Sequence, residues 1–175
     1  MGVANVSPNL TIIESLTKLR EYGGSARTTG LPDETILHFA RKDSRLPEAV
    51  DAALRAEVPL EGGARMWIEP TRALVAVDVD TGGDTSPAAA LKANLAMARE
   101  LPRQLRLRGL GGQVAVDAAP MPKGQRRQVD HALKTAFRRD PIETALVGWT
   151  PLGHIELQRK RERLPLAECL PEGLE

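Results

Sequence analysis

The chain has 175 residues, enough for one domain with its own core and a short appendage. Apolar residues make up 42% and charged residues 27%, which sets a soluble globular class, and no apolar run approaches the roughly 20 residues that span a bilayer. A net charge of +1 excludes nucleic-acid binding by overall charge alone, and the single Cys169 excludes an internal disulfide or a cysteine metal cage.

The N-terminus lacks the basic-then-apolar pattern of a secretory signal, and a reducing, cytoplasmic setting is expected. Leu10, Ile13, Leu16 and Leu19 have helical spacing and predict a helix over Asn9–Tyr22, stopped by Gly23 and Gly24. Asp33 can cap a short helix over Glu34–Arg41. Pro47 suits a first helical position, with Ala49, Val50, Ala53 and Leu54 on one face. Residues 1–57 thus read as a helical extension, 58–166 as the core and 167–175 as a tail.

Val58 to Asp80 reads as a β region, with a turn at Glu61–Gly63 and a hairpin turn at Pro70–Arg72. Ser86 and Pro87 predict a helix start, and Leu91, Leu95, Ala98, Leu101 and Leu105 its apolar stripe. Pro102 falls inside that stripe and predicts a kink or a split. A second strand runs from Gln113 to Asp117, followed by a basic helix over Gln125–Asp140. Glu143–Trp149 and His154–Lys160 read as two further antiparallel strands. The fold class is α/β: a mixed sheet with a βαβ unit, flanking helices and an N-terminal helical segment.

The βαβ unit carries the chemistry. Its two strands end in Asp78 and Asp117, which the crossover brings to the carboxyl edge of the sheet, where open α/β sheets hold ligands. Asp80 shares a strand face with Asp78, roughly 7 Å further along. Carboxylates gathered there repel unless a cation sits among them, and oxygen donors select a hard one such as Mg²⁺, suited to phosphodiester chemistry. The plainer reading is that Asp80 caps a turn and Asp117 starts a loop.

Basic residues crowd two stretches: Arg103 to Arg139, and Arg159 to Arg163. Each is either a phosphate-binding patch or a solvated helix face. His38, His131 and His154 show no metal-ligand spacing and no partner pattern. Aromatics are 3% of the chain, so base stacking is limited to Trp67, Trp149, Phe137, Phe39 and Tyr22, and both tryptophans serve equally well as core.

Several blocks, in order, resemble the catalytic core of the ribonuclease E/G family. They are Val58 to Gly63, Ala76 to Gly83, Lys92 to Leu95, Arg103 to Arg108, Leu110 to Gly112 and Val114 to Asp117. Gln125 to Arg127, Gly153 to Glu156 and Arg159 to Arg161 continue the resemblance more loosely, so that it covers about Val58 to Leu166. It implies a DNase I-like subdomain that holds Mg²⁺, with Mn²⁺ as substitute, and cleaves single-stranded RNA to 5′-phosphate and 3′-hydroxyl ends. The family's metal-ligating aspartates correspond to Asp78 and Asp117. Asp80 replaces the family's supporting asparagine and is expected as a further ligand. Arg103, Arg106, Arg126, Arg127, Lys92 and Asn94 are the expected RNA-binding residues.

The resemblance stops short in three places. The 57 residues before Val58 are too few for the family's S1 and 5′-sensor parts. The sensing arginine aligns with Glu143, and the zinc-binding link is absent, so no zinc is expected. The expected partners are single-stranded RNA and either a second copy or a partner protein that supplies RNA-binding surface, with no membrane. The alternatives are a degenerate, non-catalytic RNA- or protein-binding module on the same fold, or another Mg²⁺-dependent phosphoesterase.

Overall fold

The computed structural model describes residues 45–86 and 88–169. The helices predicted over Asn9–Tyr22 and Glu34–Arg41 lie outside them. In chain order the elements are α1 (Arg45–Leu54), β1 (Glu57–Pro59), β2 (Arg65–Pro70), β3 (Val75–Asp80), α2 (Ala89–Leu107), β4 (Gly112–Asp117), α3 (Arg126–Arg138), β5 (Thr144–Trp149), β6 (Ile155–Arg159) and α4 (Leu166–Cys169). No helix among the described residues is long and apolar enough to cross a membrane.

The six strands form one sheet in the order β1-β2-β3-β4-β6-β5. Only β3 and β4 run parallel, joined through α2, and every other pairing is antiparallel. The mixed α/β sheet and its βαβ unit are therefore as the alternating apolar runs indicated. Period-two alternation sets the two faces. Val75, Val77, Val79, Val114, Val116, Ile155 and Leu157 are buried and meet Met97, Leu101, Leu105, Val129, Leu133 and Phe137 in one core. The opposite face carries Trp67, Ala76, Asp78, Ala115 and Asp117.

Two expectations for α2 need correction. The helix begins at Ala89, with Ala88 as its cap and no side-chain capping bond; Ser86 contributes only its carbonyl, which accepts from the Ala89 N–H at 2.9 Å. Nor does Pro102 split it. α2 runs unbroken through Ala89–Leu107, because the flanking Leu101 and Leu105 are fully buried against the sheet and hold the segment helical. Tertiary packing here outweighs the missing backbone donor. The stretch from Pro165, which shows little periodicity, contains the four-residue α4, whose Leu166 and Cys169 are buried.

The basic stretches are not uniformly solvated either. Arg159 is 1% exposed, and Arg106 is buried beside it. Both donate to Asp140: Arg159 Nη2 to Oδ1 at 3.0 Å and Arg106 Nη1 to Oδ2. Arg159 also donates to the Thr144 hydroxyl at 2.8 Å. Arg106 therefore serves the interior, at the far end of α2, rather than an RNA-facing surface.

Candidate active site

The parallel register pairs Asp78 with Asp117 directly across β3 and β4. Asp117 is the last residue of β4 and Asp78 the third from last of β3, so they stand together toward the carboxyl edge. Valines 77, 79 and 116 turn inward, which turns the two aspartates outward, and both are exposed. Adjacent strands lie about 4.8 Å apart, so the two carboxylates are near neighbours.

Asp80 is not gathered into the same group. Its Oδ1 accepts the Gly82 backbone N–H, the plainer reading of this residue, and it pairs in register with Arg65 rather than with β4. The next residues form a second turn of the same kind, in which the Ser86 N–H donates to Asp84 Oδ1 at 2.8 Å. That bond, with a smaller contribution from the Ser86 hydroxyl, holds the Asp84 carboxyl below the usual carboxylate range. Gly82 has φ +70, and a methyl there would overlap the Gly63 carbonyl oxygen. Glycine thus lets the loop after Asp80 lie against the Glu61–Gly63 turn.

Asn94 is fully buried. Its amide donates to the Ala119 carbonyl at 2.9 Å, and its Oδ1 accepts the Ala119 N–H at 3.0 Å. This clamp fixes the loop that leaves Asp117, so Asn94 shapes the edge from inside rather than meeting RNA itself. Asn94→Ala leaves both Ala119 groups buried and unpaired. It is expected to cost about 3 kcal/mol of stability, measured by urea titration.

Of the expected RNA-binding cations, the fold brings Lys92, Arg126 and Arg127 to the aspartate edge, because α2 and α3 both start there. Lys92 and Arg127 are exposed, and Lys92 acts on Asp84 through its charge. Arg103 is exposed but lies about 20 Å along α2 from its start, in an ion pair with Glu100 at 2.6 Å.

One neighbour was not legible. His154 Nε2 lies 3.7 Å from Asp117 Oδ1, with side chains 40% and 67% exposed respectively. The antiparallel pairing of β4 with β6 puts Val116 opposite Ile155, which carries His154 to the end of β4. Only that register reveals the pair, since 37 residues of sequence separate the two. His131, by contrast, is exposed on α3.

The donor set fits a hard cation. The Asp78 side chain makes no hydrogen bond or ion pair among the described residues, and that of Asp117 has only His154. Among the described residues no group of three or more His, Cys, Asp or Glu side chains is arranged to hold a metal ion. The chain itself offers a two-carboxylate site, the kind Mg²⁺ uses when water and a substrate phosphate complete its shell.

These features define an α/β domain with a carboxylate pair at the outer end of its parallel strands. Comparison narrows it further. A ribonuclease E/G family model matches residues 34–162, and the chain belongs to that family. It is 32% identical over 161 residues to ribonuclease G of Salmonella typhimurium (strain SL1344), covering 87% of this chain and 30% of that protein. Ribonuclease G of Escherichia coli (strain K12) is 34% identical over 130 residues, covering 69% of this chain and 26% of that protein. Ribonuclease E of Nostoc sp. (strain PCC 7120 / SAG 25.82 / UTEX 2576) is 38% identical over 124 residues, covering 67% and 18%. The chain thus spans less than a third of the length of these curated relatives.

Proposed function

We propose that this domain is a Mg²⁺-dependent endoribonuclease, with Mn²⁺ able to substitute, that cuts single-stranded RNA to 5′-phosphate and 3′-hydroxyl ends. The observation that carries the reading is the in-register pair Asp78 and Asp117, exposed and, among the described residues, with no side-chain partner except His154. Membership of the ribonuclease E/G family and relatives named as ribonucleases support it.

Asp78 and Asp117 would hold the metal through one carboxylate each. A bound Mg²⁺ supplies charge neutralisation at the phosphate and an activated water. Asp80 holds the Gly82 turn, and the Asn94 clamp on Ala119 holds the opposite wall, so the two aspartates are presented on fixed backbone. Lys92 and Arg127 face the solvent near the edge and supply positive charge for the RNA backbone. The RNA strand meets the open edge and not the helix layer. The chain works in the cytoplasm in this reading.

The test is incubation of the full chain with a 5′-labelled single-stranded RNA in Mg²⁺, in Mn²⁺ and in EDTA. Internal cuts with either metal and none in EDTA are expected, with products that a 5′-phosphate-dependent exonuclease degrades. RNA binding with no cutting under any condition would overturn the enzyme and leave a binding module on this fold. Cutting that persists in EDTA would remove the metal from the reading.

A further inference from the structure

On the α3 side of Asp117 stands a cation that makes no ion pair among the described residues. Arg126 opens α3, and its guanidinium lies 4.4 Å from the centre of the Trp149 ring. That ring is fixed, because its indole N–H donates to Asp130 Oδ1 at 2.7 Å and it packs at the margin of the core. Gly153 closes against the same guanidinium: a Cβ there would stand 3.2 Å from Arg126 Nη2. The next residue, His154, reaches Asp117. Trp149, Arg126, the Gly153–His154 segment and Asp117 therefore lie next to one another in that order.

The Arg126 side chain makes no hydrogen bond and no ion pair among the described residues, and its Nε is buried without a partner. The adjacent Gln125 Oε1 is buried and unpartnered as well. A buried donor left unpaired is a costly arrangement that calls for an explanation, and at Arg126, unlike the interior Arg159 whose Nε is also unpartnered, the guanidinium is only half-buried and can meet an external anion. Stacking on an indole fixes the plane of the fork, and a planar fork of N–H donors matches two oxygens of one phosphate. His154, next in sequence to Gly153, offers a further polar tip beside Asp117.

We propose that Arg126, held on Trp149, and His154 form a phosphate subsite that seats the RNA phosphodiester neighbouring the one at the Asp78–Asp117 edge. The subsite rests on the nuclease reading of that edge. Arg126 and His154 are positioning residues: they fix the strand so that the next phosphate falls at the aspartates.

Binding is measured in EDTA, where no cleavage occurs, with the full chain and a short fluorescein-labelled oligouridylate across a salt series. Arg126→Gln is expected to weaken binding roughly tenfold and to reduce the log–log salt slope by about 0.7, the value for one phosphate contact on a single strand. His154→Ala weakens it less. Arg138→Gln, an exposed charge elsewhere on α3, leaves both quantities near those of the unaltered chain. Circular dichroism melting checks the fold, and if Arg126→Gln melts early, Arg126→Lys carries the test: it keeps the charge and slope and loses affinity with the fork.

An Arg126→Gln effect no larger than that of Arg138→Gln overturns the subsite, and so does an unaltered chain that binds no RNA. Inorganic phosphate competes poorly at equal phosphate concentration if the site takes a polymer. Equal competition would make it a free-phosphate site and overturn the RNA assignment. Binding that depends on Arg126 in a chain that never cuts removes the nuclease reading and keeps the subsite. Metal-dependent cutting with normal binding by Arg126→Gln does the reverse.

Discussion

Asp78→Asn and Asp117→Asn should each reduce Mg²⁺-dependent RNA cleavage by roughly a thousandfold, about 4 kcal/mol of barrier, without destabilising the fold. The second half of that statement is the more specific. Both side chains are exposed, and that of Asp78 has no hydrogen-bond partner to lose among the described residues. Two carboxylates about 5 Å apart in water repel by a little under 1 kcal/mol before salt screening. Removing either charge therefore leaves stability in EDTA unchanged or raises it by a few tenths of a kcal/mol. Mg²⁺ should raise the melting temperature of the unaltered chain, since a ligand bound only by the folded state stabilises it, and should not raise that of the variants. A variant that loses cleavage by losing its fold would instead melt early in EDTA. Equal cleavage by the variants and the unaltered chain would show that the aspartates do no chemistry.

How much of this could be read in advance depends on which interactions are local. The alternation of Val75, Val77 and Val79 with Ala76, Asp78 and Asp80 fixes a strand and its two faces without reference to anything distant. The amphipathic run between the strands makes the βαβ unit legible, and with it the Asp78–Asp117 edge. What failed depends on long-range packing. Pro102 signals a kink or a split, and the helix is not split, because Leu101 before it and Leu105 after it are fully buried. Charge patterning cannot tell Arg103, which is exposed, from Arg106, which is buried, although they sit three positions apart on one helix. The difference is Asp140, which comes 34 residues later. His154 likewise gains its meaning only from the register of β6 on β4. Asp80 looked like a third member of a carboxylate cluster because strand periodicity gives the face and not the competing local bond to Gly82.

The same long-range charge network sets the second large effect. Asp140→Asn should destabilise the chain by about 3–5 kcal/mol, the cost of removing one partner from a buried ion pair. The Asp140 and Arg159 side chains are 1% and 0% exposed, and Arg106 is 10% exposed, so solvent cannot replace the lost charge. Burial already pulls the Arg159 guanidinium below its usual pKa, and Asp140 is the main influence opposing that pull. The asparagine keeps the volume and can still accept the Ile142 N–H, which bonds Oδ1 at 2.9 Å. What it removes is the only carboxylate in hydrogen-bonding contact with both guanidiniums among the described residues. Urea titration followed by circular dichroism would measure the effect as a lower midpoint at constant slope. A loss below about 1 kcal/mol would mean that water reaches the cluster. Because Arg106, Asp140 and Arg159 join α2, the end of α3 and β6, their coupling holds the helix layer onto the sheet. Asp140→Asn combined with Arg159→Met should therefore cost less than the sum of the two single changes, since the pair fails as a unit.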